Sequence, residues 1–195
     1  MGLSNWFSKY KKKKKSSIIS DVVLVALVVV MLVPSWRREV GALIVRVVMT
    51  APSVDEFDPV QLSHNDLNLT YTGSSGQTFH LDNMLDKPVL LTYWATWCHH
   101  CVAELPALQE LYNKTGDDIH LIVLVNEDLD ETRAYINGKG YNLPIYRQTS
   151  RAPEKLYSNK IPASFLIDRS GKLLLKETGA TKWGSDEFIS YIKKL

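Results

Sequence analysis

The sequence predicts an α/β protein, with a mixed central sheet, helices on both faces, an amino-terminal hairpin extension and one N-terminal transmembrane helix. Three observations predict it. Two nearly continuous apolar runs, VLLTYWA (89–95) and IHLIVLV (119–125), have the length of buried central strands. Segments of helical periodicity alternate with strands, and a hairpin plus helix closes the chain. At the start, a lysine block precedes a long apolar stretch.

Residues 1–15 read as a basic cytoplasmic tail, with Lys9 and Lys11 to Lys15 and no acid. Residues 16–36 follow as a transmembrane anchor or signal, 21 residues long against the roughly 20 needed to cross a bilayer. Asp21 shortens the uninterrupted apolar run to Val22–Val33, a length that also suits a cleaved signal. No small-x-small cleavage site follows, which favours an anchor. The lysines keep their flank inside, so the chain beyond is exported. Residues 37–60 read as stalk and linker. Within them VGALIVRVVM (40–49) is a second apolar patch, interrupted by Arg46 and too short to span, so an interfacial helix is expected. APSVDEFDP, with its prolines and acids, then marks the boundary near residue 60.

The folded domain is placed at 61–195. Asn68–Thr72 and Thr78–Leu81 flank Gly-Ser-Ser-Gly as a hairpin. After the first central strand, Val102, Leu105, Leu108, Leu111 and Tyr112 recur at helical spacing, so a helix runs from the cysteines to about Lys114, with Pro106 inside it. Asp130–Lys139 reads as a polar helix ended by Gly140. Leu143–Arg147 is a weaker strand. Ser164–Asp168 and Lys172–Thr178 flank Arg-Ser-Gly as an antiparallel hairpin, and Ser185 caps a closing helix to Lys194.

The formal net charge of +2 averages two unlike parts. Beyond the tail the chain carries 17 basic and 21 acidic residues, with no basic stripe, which argues against a nucleic-acid partner. The only two cysteines are three apart and cannot staple a long loop.

Those cysteines lie in TYWATWCHHCVAELP (92–106), where a strand gives way to a helix. Cys98 at a helix N-terminus meets free amides and the dipole, which favour a thiolate. A dipole effect of roughly 1–2 kcal/mol lowers a thiol pKa by about one unit. His99 and His100 add donors or charge. Cys101, one turn inside, is placed to attack a mixed disulfide on Cys98, so Cys98 is the nucleophile and Cys101 the resolving thiol. Haem attachment needs C-x-x-C-H, but Val102 follows Cys101. Structural zinc lacks well-placed further ligands. A peroxidatic cysteine would want Thr or Ser where Ala95 stands. Thiolates select cuprous ion, which keeps a copper-handling metallochaperone as the alternative function.

W-A-T-W-C-x-x-C followed by x-x-E-x-P resembles the thioredoxin superfamily, and more narrowly its membrane-anchored TlpA-like thiol–disulfide oxidoreductases, the cytochrome c maturation group. Ile161-Pro162 before SFLID resembles that family's cis-proline loop, and Gly179 the glycine bordering its substrate groove. The resemblance covers roughly 65–195. It implies a redox-active Cys98–Cys101 disulfide and no other cofactor. Pro162 would turn main-chain groups toward the sulfurs, and Trp97, Ile161 and Gly179 would bind substrate. Glu104 would accept the Cys101 proton, since Thr92 stands where cytosolic relatives keep a buried aspartate. The implied partners are proteins with cysteines, the membrane, and a membrane electron donor. The implied location is the cytoplasmic membrane, with the catalytic domain on its extracytoplasmic side. Reduction is the implied direction, although the histidine pair tunes the potential and leaves that open.

Overall fold

A computed structural model describes residues 15–54 and 57–195. The lysine tail, save Lys15, and Asp55 and Glu56 of the linker lie outside the described residues. The chain divides into two compact units between Val40 and Gly41.

The first unit contains helix α1 (Lys15–Leu32) and the start of α2 (Pro34–Val48). Valine, leucine and isoleucine cover α1 all round, and Val22 to Val25, Leu27, Val28, Met31 and Leu32 are exposed. The sequence leads one to expect a single helix over 16–36, but the chain breaks at Val33. The cause is Pro34, which has no N–H for a continuous helix and suits the first position of a new one. Among the described residues no single helix is long and apolar enough to cross a membrane, although α1 and α2 together meet that test as a bent pair.

The second unit is built on one eight-stranded sheet. Its strands are β1 (Val60–Gln61), β2 (Thr70–Thr72), β3 (Thr78–His80), β4 (Val89–Tyr93), β5 (His120–Val125), β6 (Ile145–Gln148), β7 (Ala163–Ile167) and β8 (Lys172–Thr178), in the order β1-β8-β7-β4-β5-β6-β2-β3. β4 is central, paired in parallel with β5 (Leu91 opposite Ile122) and antiparallel with β7 (Leu91 opposite Phe165). The expected hairpin is β2–β3, which joins the far side of β6. β1, two exposed residues beside Lys172 and Leu173, has no counterpart in the sequence-based expectation.

The helices of this unit are α3 (His64–Leu67), α4 (His99–Thr115), α5 (Leu129–Gly138) and α6 (Asp186–Ile192). Side chains alternate across each strand, so Leu90 and Val123 face one core and Leu91 and Ile122 the other. Val102, Leu105, Leu108 and Leu111 of α4, Ile136 of α5 and Phe188 and Ile192 of α6 all enter the first core. Each fully buried leucine contributes roughly 1.5–3 kcal/mol. The second core is covered by Leu62, Leu67, Leu81 and Leu156, on single helical turns and loops. Helical segments thus cover both faces, but unequally: the three longer helices share one face, and α3 and single turns cover the other. The crossovers β4–α4–β5 and β5–α5–β6 step across the sheet in the same direction, and crossovers of one hand then fall on one side.

The domain also begins earlier than residue 61. Ala42 is buried in the first core, and Val45, Met49 and Val54 pack against it. Lys182 N donates to Thr50 O at 2.8 Å, and Ser53 N to the Glu177 carboxylate at 3.2 Å. What reads as stalk is, from Gly41 to Val54, part of the compact unit.

Candidate active site

Strand β4 ends at Tyr93, and its β7 partner there is Ala163. That pairing fixes which segments meet, since the chain leaving Tyr93 reaches Cys98 five residues on, and Pro162 directly precedes Ala163. The Ile161–Pro162 peptide is cis. Cys98 Sγ lies 3.6 Å from the Ile161 carbonyl oxygen.

Cys98 is the N-cap of α4, and the amide of Cys101 donates to its sulfur at 3.2 Å. The two cysteines form a disulfide, with Cα atoms 5.2 Å apart. Cys98 is 7 % exposed and Cys101 wholly buried. Trp94, buried, donates its indole N–H to the Cys101 carbonyl at 2.7 Å and fixes the first turn. Trp97 has the opposite character and is 66 % exposed. It lines, with Ile161, Tyr93, Glu127, Arg151 and Tyr157, an open cavity of about 960 Å³ beside the disulfide. Gly179 does not line it, although its N–H donates to the Pro162 carbonyl at 2.8 Å.

The rings of His99 and His100 lie with centroids 4.3 Å apart and their planes tilted by 43°. Burial, and then the neighbouring His99, hold His100 below the ordinary histidine range, so it acts near neutrality as a dipole rather than a charge. Glu104 is completely buried one turn beyond Cys101. Its Oε2 accepts from Trp183 Nε1 at 3.3 Å and Thr181 N at 3.4 Å. Burial pushes its carboxyl up to about 8, and these two bonds offset only part of that. Thr92 is tied to Ser164, whose hydroxyl donates to it at 2.8 Å.

Three participants were not visible in the sequence reading. The Glu127 carboxylate accepts from Thr96 N at 2.7 Å and from the Thr96 hydroxyl, and so steadies the turn before the cysteines. Trp183 and Thr181 hold Glu104 from the loop before α6. A lone acid after a strand, or a tryptophan in a loop, carries no spacing signal that would have found them. Among the described residues no group of three or more His, Cys, Asp or Glu stands together as a metal site.

A buried cysteine behind a more exposed one, at a helix start that faces a cis-proline loop on a mixed sheet, defines a thioredoxin-like thiol–disulfide oxidoreductase. The chain belongs to the AhpC/TSA family, whose model matches residues 62–175. It is similar to proteins named thiol-disulfide oxidoreductase ResA. One from Bacillus cereus is 30% identical over 144 residues, covering 71% of this chain and 80% of the relative. That of Bacillus subtilis is 29% identical over 130 residues, covering 65% and 73%. Among solved structures it is similar to the exposed lipoprotein thioredoxin of Streptococcus pneumoniae, 28% identical with a TM-score of 0.53, covering 65% of this chain and 98% of that one.

Proposed function

We propose that the protein is a membrane-tethered thiol–disulfide oxidoreductase that reduces cysteine pairs of protein clients on the extracytoplasmic side. The observation that carries it is the placement of Cys98 Sγ at the N-cap of α4 beside the Ile161 carbonyl, with Cys101 buried behind it.

In the reduced protein the Cys98 thiolate attacks one sulfur of a client disulfide. A Cys98–client disulfide forms, and the displaced client thiolate takes a proton from solvent. The ionised form of Glu104, the minority near neutral pH because burial raises its carboxyl to about 8, accepts the Cys101 proton, and the Cys101 sulfur attacks Cys98 Sγ. The second client thiolate leaves and is protonated, so two electrons have passed to the client and the protein holds its own disulfide. An electron donor in the membrane restores the dithiol. Trp97, Ile161 and Gly179 line the client's path along the Pro162 loop, and His99 and His100 tune the potential.

The tether is supported by α1 and by the outward face of α2, where Leu43, Ile44, Val47 and Val48 are exposed apolar residues. An apolar stripe of this kind suits a helix lying in the bilayer interface. The named relatives support the exchange chemistry. The anchored, reducing, cytochrome c maturation branch is supported by the sequence resemblance alone.

The test is insulin reduction by full-length protein beside Cys98→Ser, because a fragment from residue 60 would strip Gly41–Val54 from the core. Wild type should turn over and Cys98→Ser should not, and Cys101→Ser should accumulate mixed disulfides with clients in cells. Trapping by Cys98→Ser instead would reverse the roles. No turnover, with tight stoichiometric copper binding, would overturn the reading in favour of a metallochaperone.

A further inference from the structure

Helix α4 contains a proline at its eighth residue, and the helix continues through it to Thr115. Pro106 has no N–H, so the carbonyl four residues earlier, that of Val102, has no helical partner. Val102 is fully buried, and an unmade hydrogen bond on a buried carbonyl is costly. The chain supplies the donor from elsewhere. Half-buried Arg46, on α2, donates from Nη2 to Val102 O at 3.3 Å and from Nε to Ala103 O at 3.1 Å.

The contact is two-pronged and long-range, 56 and 57 residues apart in sequence. A planar guanidinium can bridge adjacent carbonyls in this way, whereas an ammonium acts as a point charge. The neighbouring surfaces are fitted to it. Ala42 is buried, Val45 packs on the same core, and Gly41 sits where an added Cβ would stand 3.5 Å from the His99 ring. Arg46 therefore reads as an interruption of an apolar run only until the fold places it on the redox helix.

We propose that Arg46 is a positioning residue for the redox centre: it completes the hydrogen bonding that Pro106 breaks and thereby holds the first turn of α4 in the geometry that stabilises the Cys98 thiolate. The inference rests on the oxidoreductase reading and adds the residue that tunes it. The turn at stake is 98–102, in which the Cys101 amide points at Cys98 Sγ and Val102 N donates to Cys98 O at 3.0 Å. Past Val102 the proline removes the next helical bond, so Arg46 ties this turn to a second element. It also fixes a cation at the carbonyl of the residue after Cys101, and a positive charge near a thiol favours its thiolate. Because α2 carries apolar residues on its other face, one helix joins the proposed membrane surface to the redox helix.

The test is the equilibrium of full-length protein with glutathione at pH 7, in wild type, Arg46→Ala, Arg46→Lys, Pro106→Ala and the Arg46→Ala/Pro106→Ala double variant. Loss of the positioning contact destabilises the thiolate form, so Arg46→Ala should shift the equilibrium toward the disulfide at least threefold, about 14 mV. Arg46→Lys, which keeps the charge and loses the fork, should shift in the same direction. Pro106→Ala restores an N–H for Val102 O, so the shift caused by Arg46→Ala should shrink in that background. An unchanged equilibrium in both Arg46 variants, with only a lowered melting temperature, overturns the proposal and leaves a structural contact. The same shift with and without Pro106 overturns it as well. If wild type itself fails to equilibrate with glutathione, the oxidoreductase reading has failed, an outcome distinct from a wild type that equilibrates and variants that match it.

Discussion

The indole N–H of Trp183 donates to Glu104 Oε2 at 3.3 Å, while Oε1 of the same buried carboxyl has no hydrogen-bond partner. One neutral donor and one distant amide do not offset the loss of water, so burial dominates and the carboxyl rises from 4.5 to about 8. At neutral pH the folded protein thus keeps a proton that the unfolded chain has lost. Between about pH 4.5 and 8 the folded state binds more protons, so this group makes stability fall as pH rises. Urea unfolding of the oxidised protein should show wild type losing up to about 1.4 kcal/mol per pH unit relative to Glu104→Gln across that window. Parallel pH profiles for the two proteins would mean that Glu104 ionises normally.

Thr92 and Ser164 form a closed hydroxyl pair across β4 and β7, both buried, at 2.8 Å. Thr92→Val preserves shape and leaves the Ser164 hydroxyl without an acceptor, which should cost about 1–3 kcal/mol in chemical denaturation. The Thr92→Val/Ser164→Ala double variant should regain most of that, since removing both partners leaves nothing unsatisfied. Insulin reduction should be retained in both, because the proton work is assigned to Glu104. A double variant less stable than the single one would show that the pair contributes more than its own bond.

The parts of this fold that can be read from sequence are those whose pattern has a single interpretation. VLLTYWA and IHLIVLV are too short for buried helices and too apolar for edges, and they became β4 and β5 within two residues of the expected ends. Ser185 caps α6 by accepting from Phe188 N. The Gly41–Val54 segment is hard to read for an equally physical reason. Ala42, Val45 and Met49 lie on one helical face and Leu43, Ile44, Val47 and Val48 on another, and both faces are apolar. Periodicity then gives no inward direction, and only the Val102 carbonyl freed by Pro106 tells Arg46 where to go. The motif made the cysteine pair legible. The residues that hold it, Glu127 and Trp183 among them, come from distant segments and have no local spacing to betray them.

Trp97 leaves two thirds of its surface in solvent directly before Cys98, whereas Trp94 three residues earlier is sealed in the core. An indole so exposed contributes little to folding, so Trp97→Ala should change unfolding free energy by less than about 0.5 kcal/mol. If it meets clients, the same substitution should raise KM for a protein disulfide while leaving the reaction with a small disulfide unchanged. Trp94→Ala should do the reverse, with a cost of about 3–5 kcal/mol for a vacated core site. Equal loss on small and protein substrates in Trp97→Ala would place its role in chemistry rather than contact.

Gly179 adopts φ +99°, a conformation that side-chain-bearing residues avoid, and beyond its two chain neighbours no heavy atom lies within 4 Å of where a Cβ would stand. Its substitution therefore tests backbone conformation free of any clash. Gly179→Ala should cost about 1–2 kcal/mol, the penalty for holding an L-residue in this region. If the chain relaxes that strain by rotating φ, the Gly179 N–H moves off the Pro162 carbonyl it now meets at 2.8 Å. The loop beside Cys98 then loses a fixed edge. Denaturation curves should show the stability loss, and client reduction should fall further than the fraction unfolded accounts for. Full activity in the folded fraction would confine Gly179 to a structural turn and remove it from the client groove.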